Sequence, residues 1–366
     1  MRIRTILRLC PVICTITAVS TVLMLKVATA EESNNAKSSQ LINETTTKSL
    51  PLPHSYQEAV RVTPNGTFYK IDDYSYAYYE KPKAYSFLVN APFNIVDWLK
   101  DSFQQKNTLT IAGLAVATAG LIAVDQDLYR VSHDAGRSLN ITSDDRMKGK
   151  ISLIPGYPIQ YPTNVGSALY FLGDGVIPIS ITAGMFSYGL ATSDVRSLQT
   201  SSQLAEGLIS VGIVVQALKR TAGRQTPGRA TEPGGKWRPF PGFNEYNNHT
   251  PSYDAFPSGH LATAMMTITV LADNYPEYPL IRPIGYGAMT LIGFQMINNG
   301  VHWASDYPIA IAIGYGLGKV AVSHGRKVVS SENHQEKTTK RSLFRDFVIL
   351  PMPIEKGGAI FMVAKF

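Results

Sequence analysis

Six stretches of this chain carry almost no charge, and polar loops separate them. They are rich in Ala, Gly, Ile, Leu and Met, and they cover residues 108–124, 175–193, 207–218, 261–272, 283–301 and 307–318. Small residues at this density let helices pack closely, so we predict a mainly α fold with a six-helix bundle over residues 108–322. Several stretches are shorter than the ~20 residues of a membrane span, so the pattern leaves open whether the bundle crosses a bilayer.

The start of the chain has the pattern of an export signal. A basic N-terminus precedes a largely apolar run, and Ala28, Thr29 and Ala30 form a small-residue cleavage site. We therefore predict a signal peptide over residues 1–30 and a protein exported to the cell envelope. The alternative is an uncleaved membrane anchor, which Lys26 favours because it lies so close to the cleavage site.

Three further segments flank the predicted bundle. Residues 31–66 are rich in Ser, Asn, Thr and Lys, which predicts a flexible polar linker. Residues 67–107 form an aromatic-rich N-terminal extension, typical of a strand or loop layer that packs on a larger body or rests at a membrane interface. The C-terminal tail, residues 323–366, ends in two apolar runs around the turn-prone sequence EKGG. We predict a small β-hairpin there, which could pair with the aromatic segment.

Composition excludes two kinds of chemistry. Both cysteines, Cys10 and Cys14, lie inside the predicted signal, so the processed chain would contain neither a thiol nor a disulfide. Loss of the four basic residues of the signal would lower the net charge from +7 to +3. That charge is too small to indicate nucleic acid as a partner.

Three short segments place polar residues at the edges of the apolar helices. They are KRTAGRQTP at residues 219–227, FPSGH at residues 256–260 and HWASD at residues 302–306. Taken singly, they indicate a lysine that complements a helix dipole, a serine cap and a surface His–Asp pair. Antiparallel packing of consecutive helices, however, would bring the end of the third helix and the starts of the fourth and sixth to one rim. We therefore expect the three segments to form one pocket.

Such a pocket favours an anion. Two helix N-termini direct backbone N–H groups and positive dipole ends at the same point. Lys219 adds a full positive charge, Ser258 a hydroxyl group, and Gly259 a backbone donor that a ligand can approach closely. We predict these three as phosphate-binding residues. We expect no metal and no cofactor, since fixed donors can stabilise the charge of a phosphoryl transition state.

Two histidines supply the reactive groups of the predicted pocket. His302 lies one turn before Asp306, whose carboxylate can fix the histidine tautomer and leave the other ring nitrogen free to attack phosphorus. His260 is placed to protonate the leaving alkoxide. We therefore predict a phosphohistidine intermediate on His302, with Asp306 as its orienting residue and His260 as the general acid.

The three segments, in this order and between these helices, resemble the signature motifs of the type-2 phosphatidic acid phosphatase superfamily. That superfamily also includes bacterial acid phosphatases and vanadium haloperoxidases. The resemblance covers roughly residues 108–322. It implies a six-helix fold and the same two-histidine mechanism, with the residue roles given above.

The chain departs from the family pattern at two arginines. Thr226 stands where the first motif has Arg, and Met296 stands where the third motif has Arg. A guanidinium gripping a phosphoryl oxygen is a strong contact, so these losses call for a substitute. We predict Arg224 as that phosphate-binding substitute; Arg229 and Arg238 lie in the same loop and are as well explained as solvated surface charges.

The resulting hypothesis is a metal-independent phosphatase acting on a phosphomonoester or diphosphate. A lipid-borne substrate and a membrane partner suit an apolar bundle with its polar site at the rim. Two alternatives are a non-catalytic binder of phosphorylated lipid or glycan and a vanadate-dependent haloperoxidase, which needs stronger oxyanion retention. If the signal is cleaved, counting spans from the exported N-terminus places the site on the cytoplasmic side, which conflicts with an exported active site. A periplasmic bundle that is only associated with the membrane would remove this conflict. The face that carries the site stays open.

Overall fold

The computed structural model describes residues 60–63, 65–72, 75–143, 149–154, 157–330, 347–352 and 359–364. The predicted export signal and all of the predicted linker up to residue 59 lie outside these described residues. The end of the predicted linker is not a coil, because residues 60–63 form a β-strand.

The six predicted helices all form. They are α2 (Thr108–Ser138), α4 (Val176–Thr192), α5 (Val195–Ala222), α7 (Gly259–Asn274), α8 (Ile281–Asn298) and α9 (Tyr307–Ser323). Helix α5 begins well before the predicted residue 207, since its polar N-terminal half is buried. In that half the Gln203 amide donates to the Val322 carbonyl at 3.1 Å and its oxygen accepts from Asn274 at 2.6 Å. Polar residues there are interhelical partners and do not mark a loop.

The described part of the chain contains three more α-helices, namely α1 (Ser86–Ser102), α3 (Val165–Leu172) and α6 (Phe243–Asn248). Helix α1 lies within the aromatic-rich extension, where a strand or loop layer was predicted, so that prediction was wrong for this half of the segment. Its inner face packs on α5, where the Ser210 hydroxyl donates to the Ala91 carbonyl at 3.0 Å.

The other half of the aromatic segment is a sheet, as predicted. Strands β1 (Val60–Thr63), β2 (Gly66–Lys70), β3 (Ser75–Glu80) and β6 (Arg326–Ser330) form an antiparallel sheet in that order. The aromatic strands therefore pair with the segment that follows α9, and not with the C-terminal hairpin.

Two hairpins stand outside that sheet. Strands β7 (Phe347–Met352) and β8 (Ala359–Ala364) pair with each other, with Phe347 opposite Ala364, which confirms the predicted terminal hairpin. Strands β4 (Gly149–Ile154) and β5 (Tyr157–Tyr161) form a second hairpin that the sequence pattern did not predict.

The hydrophobic core lies between α5, α7, α8 and α9, where Leu204, Met265 and Leu317 are fully buried. Helices α7 and α9 approach closely at Gly314, where a Cβ atom would lie 2.1 Å from the Ala262 carbonyl oxygen. Only glycine allows this contact. It places the start of α7 beside the turn that leads into α9, which is where two of the three polar segments lie.

The described residues contain two helices that are long and apolar enough to cross a membrane, covering Gln105–Ser138 and Val195–Ala222. A third span is possible if α3 and α4, which are bent by 56° relative to each other, act as one. Helix α2 presents its apolar side chains outward, with Leu109 78% and Val116 73% exposed. The bundle therefore has an apolar outer surface.

Candidate active site

The first polar segment begins in the last turn of α5, where Lys219 is 8% exposed. The helix ends because Gly223 adopts a left-handed conformation (φ 57°), and a Cβ there would lie 1.8 Å from the Arg238 carbonyl oxygen. This glycine turns the chain inward. The ammonium group of Lys219 donates to the Asp254 carboxylate at 3.3 Å.

The second segment opens α7. The Ser258 hydroxyl caps the helix by accepting from the Leu261 N–H at 3.4 Å, and Gly259 is the first helical residue. The backbone N–H of Ser258 donates to the Asp306 carbonyl at 3.1 Å. This bond ties the second segment directly to the third, so the predicted convergence of these helix ends is present.

The two predicted catalytic histidines face each other. The ring centroids of His260 and His302 are 5.6 Å apart, and the ring planes are inclined by 73°. His302 is 1% exposed, and its Nε2 is buried without a hydrogen-bond partner. Its Nδ1 lies 2.7 Å from the Ala255 carbonyl oxygen, which can only accept, so the proton belongs on Nδ1. Nε2 is left with a free lone pair.

Asp306 stabilises this arrangement less directly than predicted. Its Oδ2 lies 3.5 Å from Nδ1 of His302, farther than the Ala255 carbonyl, and accepts from the Trp303 N–H at 2.7 Å. Its Oδ1 accepts from Arg224 at 2.7 Å. The tautomer of His302 is therefore set first by a backbone carbonyl, with the carboxylate of Asp306 as a second, more distant partner.

Burial and the surrounding charges keep both histidines neutral. Burial, followed by the charge of Lys219, lowers the pKa of His302 to about 3. Burial, followed by the charges of His302 and Lys219, likewise lowers the pKa of His260 to about 3, while Asp174 acts in the opposite direction. Burial raises the pKa of Asp306 to about 6 against the effect of Arg224. An approaching anion would favour the charged form of either ring.

Arg224 does not take the predicted role of a phosphate ligand in this structure. It is 0% exposed, and its five N–H donors already meet acceptors on Asp125, Gly234, Ser305 and Asp306. Removing one member of such a buried ion pair typically costs about 3–5 kcal/mol, because the remaining charge is left uncompensated. Arg224 is therefore a fixed part of the wall of the site.

The two positions that depart from the family pattern are both buried. Thr226 is 5% and Met296 0% exposed, so apolar packing fills the place of the missing third-motif arginine. Arg229 is exposed, and the Arg238 guanidinium stacks on the Tyr253 ring at 5.8 Å. In the described part of the chain, neither arginine makes a hydrogen bond or ring contact with His260 or His302. Among the described residues, no group of three or more His, Cys, Asp or Glu is placed to hold a metal ion.

Two contributions to the site were missed by the sequence reasoning. Asp125 lies within the apolar helix α2, is 1% exposed, and pairs with Arg224 at 2.7 Å. Tyr170 of α3 packs against His260 with ring centroids 5.3 Å apart. The only available signal for Asp125 was its place as the first acidic residue after a long uncharged stretch, which is equally typical of a helix end.

Acidification is expected to destabilise the fold through His302. Its pKa is 6.5 when unfolded and about 3 when folded, so the unfolded chain binds the proton first and stability is lost as the pH falls from 6.5 towards 3. Asp306 acts in the opposite direction, since its pKa rises on folding from 3.8 to about 6. His302→Asn should therefore lose less thermal stability than the wild type between about pH 7 and about pH 4 in detergent.

A control for this measurement is His249→Asn, at an exposed position. It should show the same loss of Tm on acidification as the wild type. Identical pH slopes for His302→Asn and the wild type would contradict the assignment of a buried neutral imidazole at position 302.

Comparison with known proteins confirms the resemblance drawn from the three segments. Residues 201–328 match the family model described as PAP2 superfamily. No curated protein matches the chain. One similar solved structure is LpxE of Aquifex aeolicus, at 21% identity and a TM-score of 0.33. The matched region covers 43% of this chain and 84% of the LpxE chain. Another is a transmembrane PAP2-type phosphatidylglycerolphosphate phosphatase of Bacillus subtilis, at 17% identity and a TM-score of 0.32, covering 65% of this chain and 95% of that one.

Proposed function

Because residues 201–328 match the PAP2 superfamily, we propose that this chain is a metal-independent phosphatase. Its substrate is a phosphomonoester or a diphosphate, and the reaction passes through a phosphohistidine. The observation that carries the proposal is the buried, unpartnered Nε2 of His302, which lies beside a second histidine and near a buried lysine. Buried polar atoms are almost always paired, so an unpaired imidazole nitrogen favours a reactive role.

The first step of the proposed reaction transfers the phosphoryl group to the enzyme. Nε2 of His302 attacks phosphorus, and the bond from phosphorus to the leaving oxygen breaks. His260 donates its proton to that oxygen. His260 is neutral before the substrate enters, and it takes up this proton when the entering phosphate places negative charge beside its ring and raises its pKa. Lys219 offsets the charge that accumulates on the phosphoryl oxygens.

The second step releases phosphate. The neutral His260 removes a proton from a water molecule, whose oxygen attacks phosphorus as the bond to Nε2 breaks. His302 returns to its neutral form, and His260 gives up the proton as phosphate departs, so both rings are neutral before the next substrate enters. The Ala255 carbonyl supports both steps, because it stabilises the Nδ1–H of His302 at 2.7 Å while Nε2 carries the phosphoryl group.

A lipid-borne substrate suits the outer surface of the bundle. Helices α2 and α4 expose large apolar side chains, including Leu109, Val116, Ile179 and Leu190, while the exposed charges of α2 lie in its C-terminal part. These helices belong to the two or three candidate spans. We include in the proposal that the protein is exported to the cell envelope, lies in or on a membrane, and receives a phosphorylated lipid at the rim. Nucleic acid is not among the proposed partners.

A non-catalytic binder of phosphorylated lipid or glycan is the second candidate. It is favoured by the missing arginines at Thr226 and Met296 and by the full use of the Arg224 donors. Lys219 is the cation whose charge acts on both histidines in the described part of the chain. Such a protein would retain a phosphate analogue without forming phosphohistidine. A vanadate-dependent haloperoxidase is a weaker alternative, since it needs strong oxyanion retention; halide oxidation in vanadate buffer would favour it.

The decisive experiment is a phosphate-release panel on the full chain purified in detergent. We expect release from phosphatidic acid or a prenyl diphosphate in mixed micelles with excess chelator, and slower release from the soluble p-nitrophenyl phosphate. Binding of phosphatidic acid without release would support the binder. Activity that requires an added divalent metal would overturn the proposed mechanism.

A further inference from the structure

Arg224 is connected to the nucleophile His302 indirectly, through two independent series of contacts. One runs through its side chain and the other through its backbone, and both end at Nδ1 of His302. The residue lies at an isolated bridge that joins the loop after α5 to Trp237 and, on the other side, to Asp254. It is held at the middle of the site by backbone pairing as well as by charge.

The side-chain route passes through Asp306. Nη1 of Arg224 donates to Oδ1 of Asp306 at 2.7 Å and to the Ser305 hydroxyl at 2.6 Å. The other oxygen of Asp306 lies 3.5 Å from Nδ1 of His302. The guanidinium thus fixes the carboxylate that stands behind the nucleophilic ring. Cζ of Arg224 also lies over two indole rings, 4.8 Å from the Trp237 centroid and 5.3 Å from that of Trp303.

The backbone route passes through Ala255. The carbonyl oxygen of Arg224 accepts from the Ala255 N–H at 3.0 Å. The carbonyl oxygen of Ala255 in turn lies 2.7 Å from Nδ1 of His302. The residue whose N–H is held by Arg224 therefore also presents the carbonyl acceptor that selects the histidine tautomer.

The counter-ion comes from a helix outside the three polar segments. Asp125 of α2 accepts from Nη2 of Arg224 at 2.7 Å, and its other oxygen accepts from the Ser305 N–H at 3.0 Å. Both partners are completely buried. Asp125 balances the guanidinium and holds the turn before α9, so that one carboxylate fixes Arg224 and the loop of His302 together.

We propose that Arg224, held by Asp125, is the positioning residue of His302 and fixes its Nδ1–H tautomer through Ala255 and Asp306. The inference rests on the proposed phosphatase function for its effect on turnover, but its structural content is independent of that function. Arg224 itself does not contact the phosphate in the proposed reaction. Thr226 stands where the first motif has a phosphate-binding arginine. Arg224, two residues earlier, thus replaces that arginine in sequence but positions the nucleophile instead of binding phosphate.

The kinetic test uses Arg224→Lys, which keeps the positive charge but not the five fixed donors, and Asp125→Asn, which keeps the shape but removes the negative charge. We expect kcat for phosphate release to fall about tenfold or more, with KM and inhibition by orthovanadate changed less than about threefold, because only the nucleophile is misplaced. A phosphate ligand would behave differently: KM would rise and vanadate inhibition would weaken. That second pattern would overturn the proposal.

A spectroscopic test works without any activity. Long-range ¹H–¹⁵N spectra of histidine-labelled protein report the tautomer of each imidazole, and the His302→Asn variant identifies the signal of His302. We expect a fixed Nδ1–H tautomer in the wild type and a mixture of tautomers in Arg224→Lys and Asp125→Asn. An Nε2–H tautomer in the wild type, or an unchanged signal in both variants, would overturn the proposal.

The matched control is Arg196→Lys. Arg196 is 7% exposed and is also held by a carboxylate, Glu277, at 2.7 Å and by aromatic rings, yet it lies at the other end of α5. The Arg196→Lys variant should lower Tm as Arg224→Lys does, while kcat and the NMR signal of His302 stay unchanged. If the wild type releases no phosphate from any substrate, the phosphatase proposal fails while the tautomer measurement still decides the role of Arg224.

Discussion

Replacing His302 with Asn is expected to reduce phosphate release by at least about 10⁴-fold, the scale seen when a covalent nucleophile is removed. Asn keeps a polar group that can reach the Ala255 carbonyl, which His302 contacts at 2.7 Å, but it has no nitrogen lone pair at the position of Nε2. Binding of inorganic phosphate or vanadate should survive, because Lys219, Ser258 and Gly259 are unchanged. Release of phosphate under initial-rate conditions, together with vanadate binding, measures both effects.

The control for this experiment is His249→Asn, which changes an exposed histidine. Its kcat should equal that of the wild type. Alkaline quenching during turnover should trap a phosphohistidine in the wild type and not in His302→Asn. Turnover of His302→Asn within tenfold of the wild type would reject the covalent mechanism, whatever the residual binding.

The second large effect is expected for His260→Asn, and its size should depend on the leaving group. An alkoxide needs a proton as it departs, whereas p-nitrophenolate does not, so the first turnover should slow about 10²–10⁴-fold for a lipid phosphate and far less for p-nitrophenyl phosphate. The second step, in which water attacks the phosphohistidine, then also lacks its general base. The variant should therefore give a burst of about one p-nitrophenolate per enzyme and accumulate phosphohistidine on His302.

Rapid-quench measurements with both substrates distinguish this role from a structural one. His260 packs on Tyr170 at 5.3 Å and on His302 at 5.6 Å, so a purely structural loss would slow the first turnover of both substrates equally. An equal loss without a burst would remove His260 as the proton donor. Tyr170→Phe, which keeps the ring contact, should retain the wild-type difference between the two leaving groups.

Much of the fold could be predicted from local sequence patterns. An uncharged, small-residue stretch defines its own helix, and the six bundle helices all form, although α2 and α5 extend well beyond their predicted stretches. The terminal hairpin followed from two apolar runs around a turn. The failures have a common cause: α1 and the first half of α5 carry polar or aromatic residues whose partners lie far along the chain, so their composition resembled loop or strand. The bundle limits at residues 108–322 stay a prediction.

The candidate site was also partly predictable. Lys219, Ser258, Gly259, His260, His302 and Asp306 lie at helix ends, and antiparallel packing was enough to infer that these ends meet. The role of Arg224 was not predictable, because a loop arginine carries no sign of whether it faces a ligand or a buried carboxylate. Its partners Asp125 and Asp306 lie 99 and 82 residues away along the chain.

The sequence by itself determined the six apolar helices of the bundle and which side chains stand at their ends, since both depend on residues within a few turns of one another. Only the tertiary structure decided what those side chains touch. The packing of α2 against the turn before α9 placed Asp125 beside Arg224, and a backbone carbonyl at Ala255, invisible in the identity of any side chain, became the acceptor for His302. Hydrogen bonds between distant segments depend on the packed geometry of the whole bundle, and that geometry is not encoded in any local pattern.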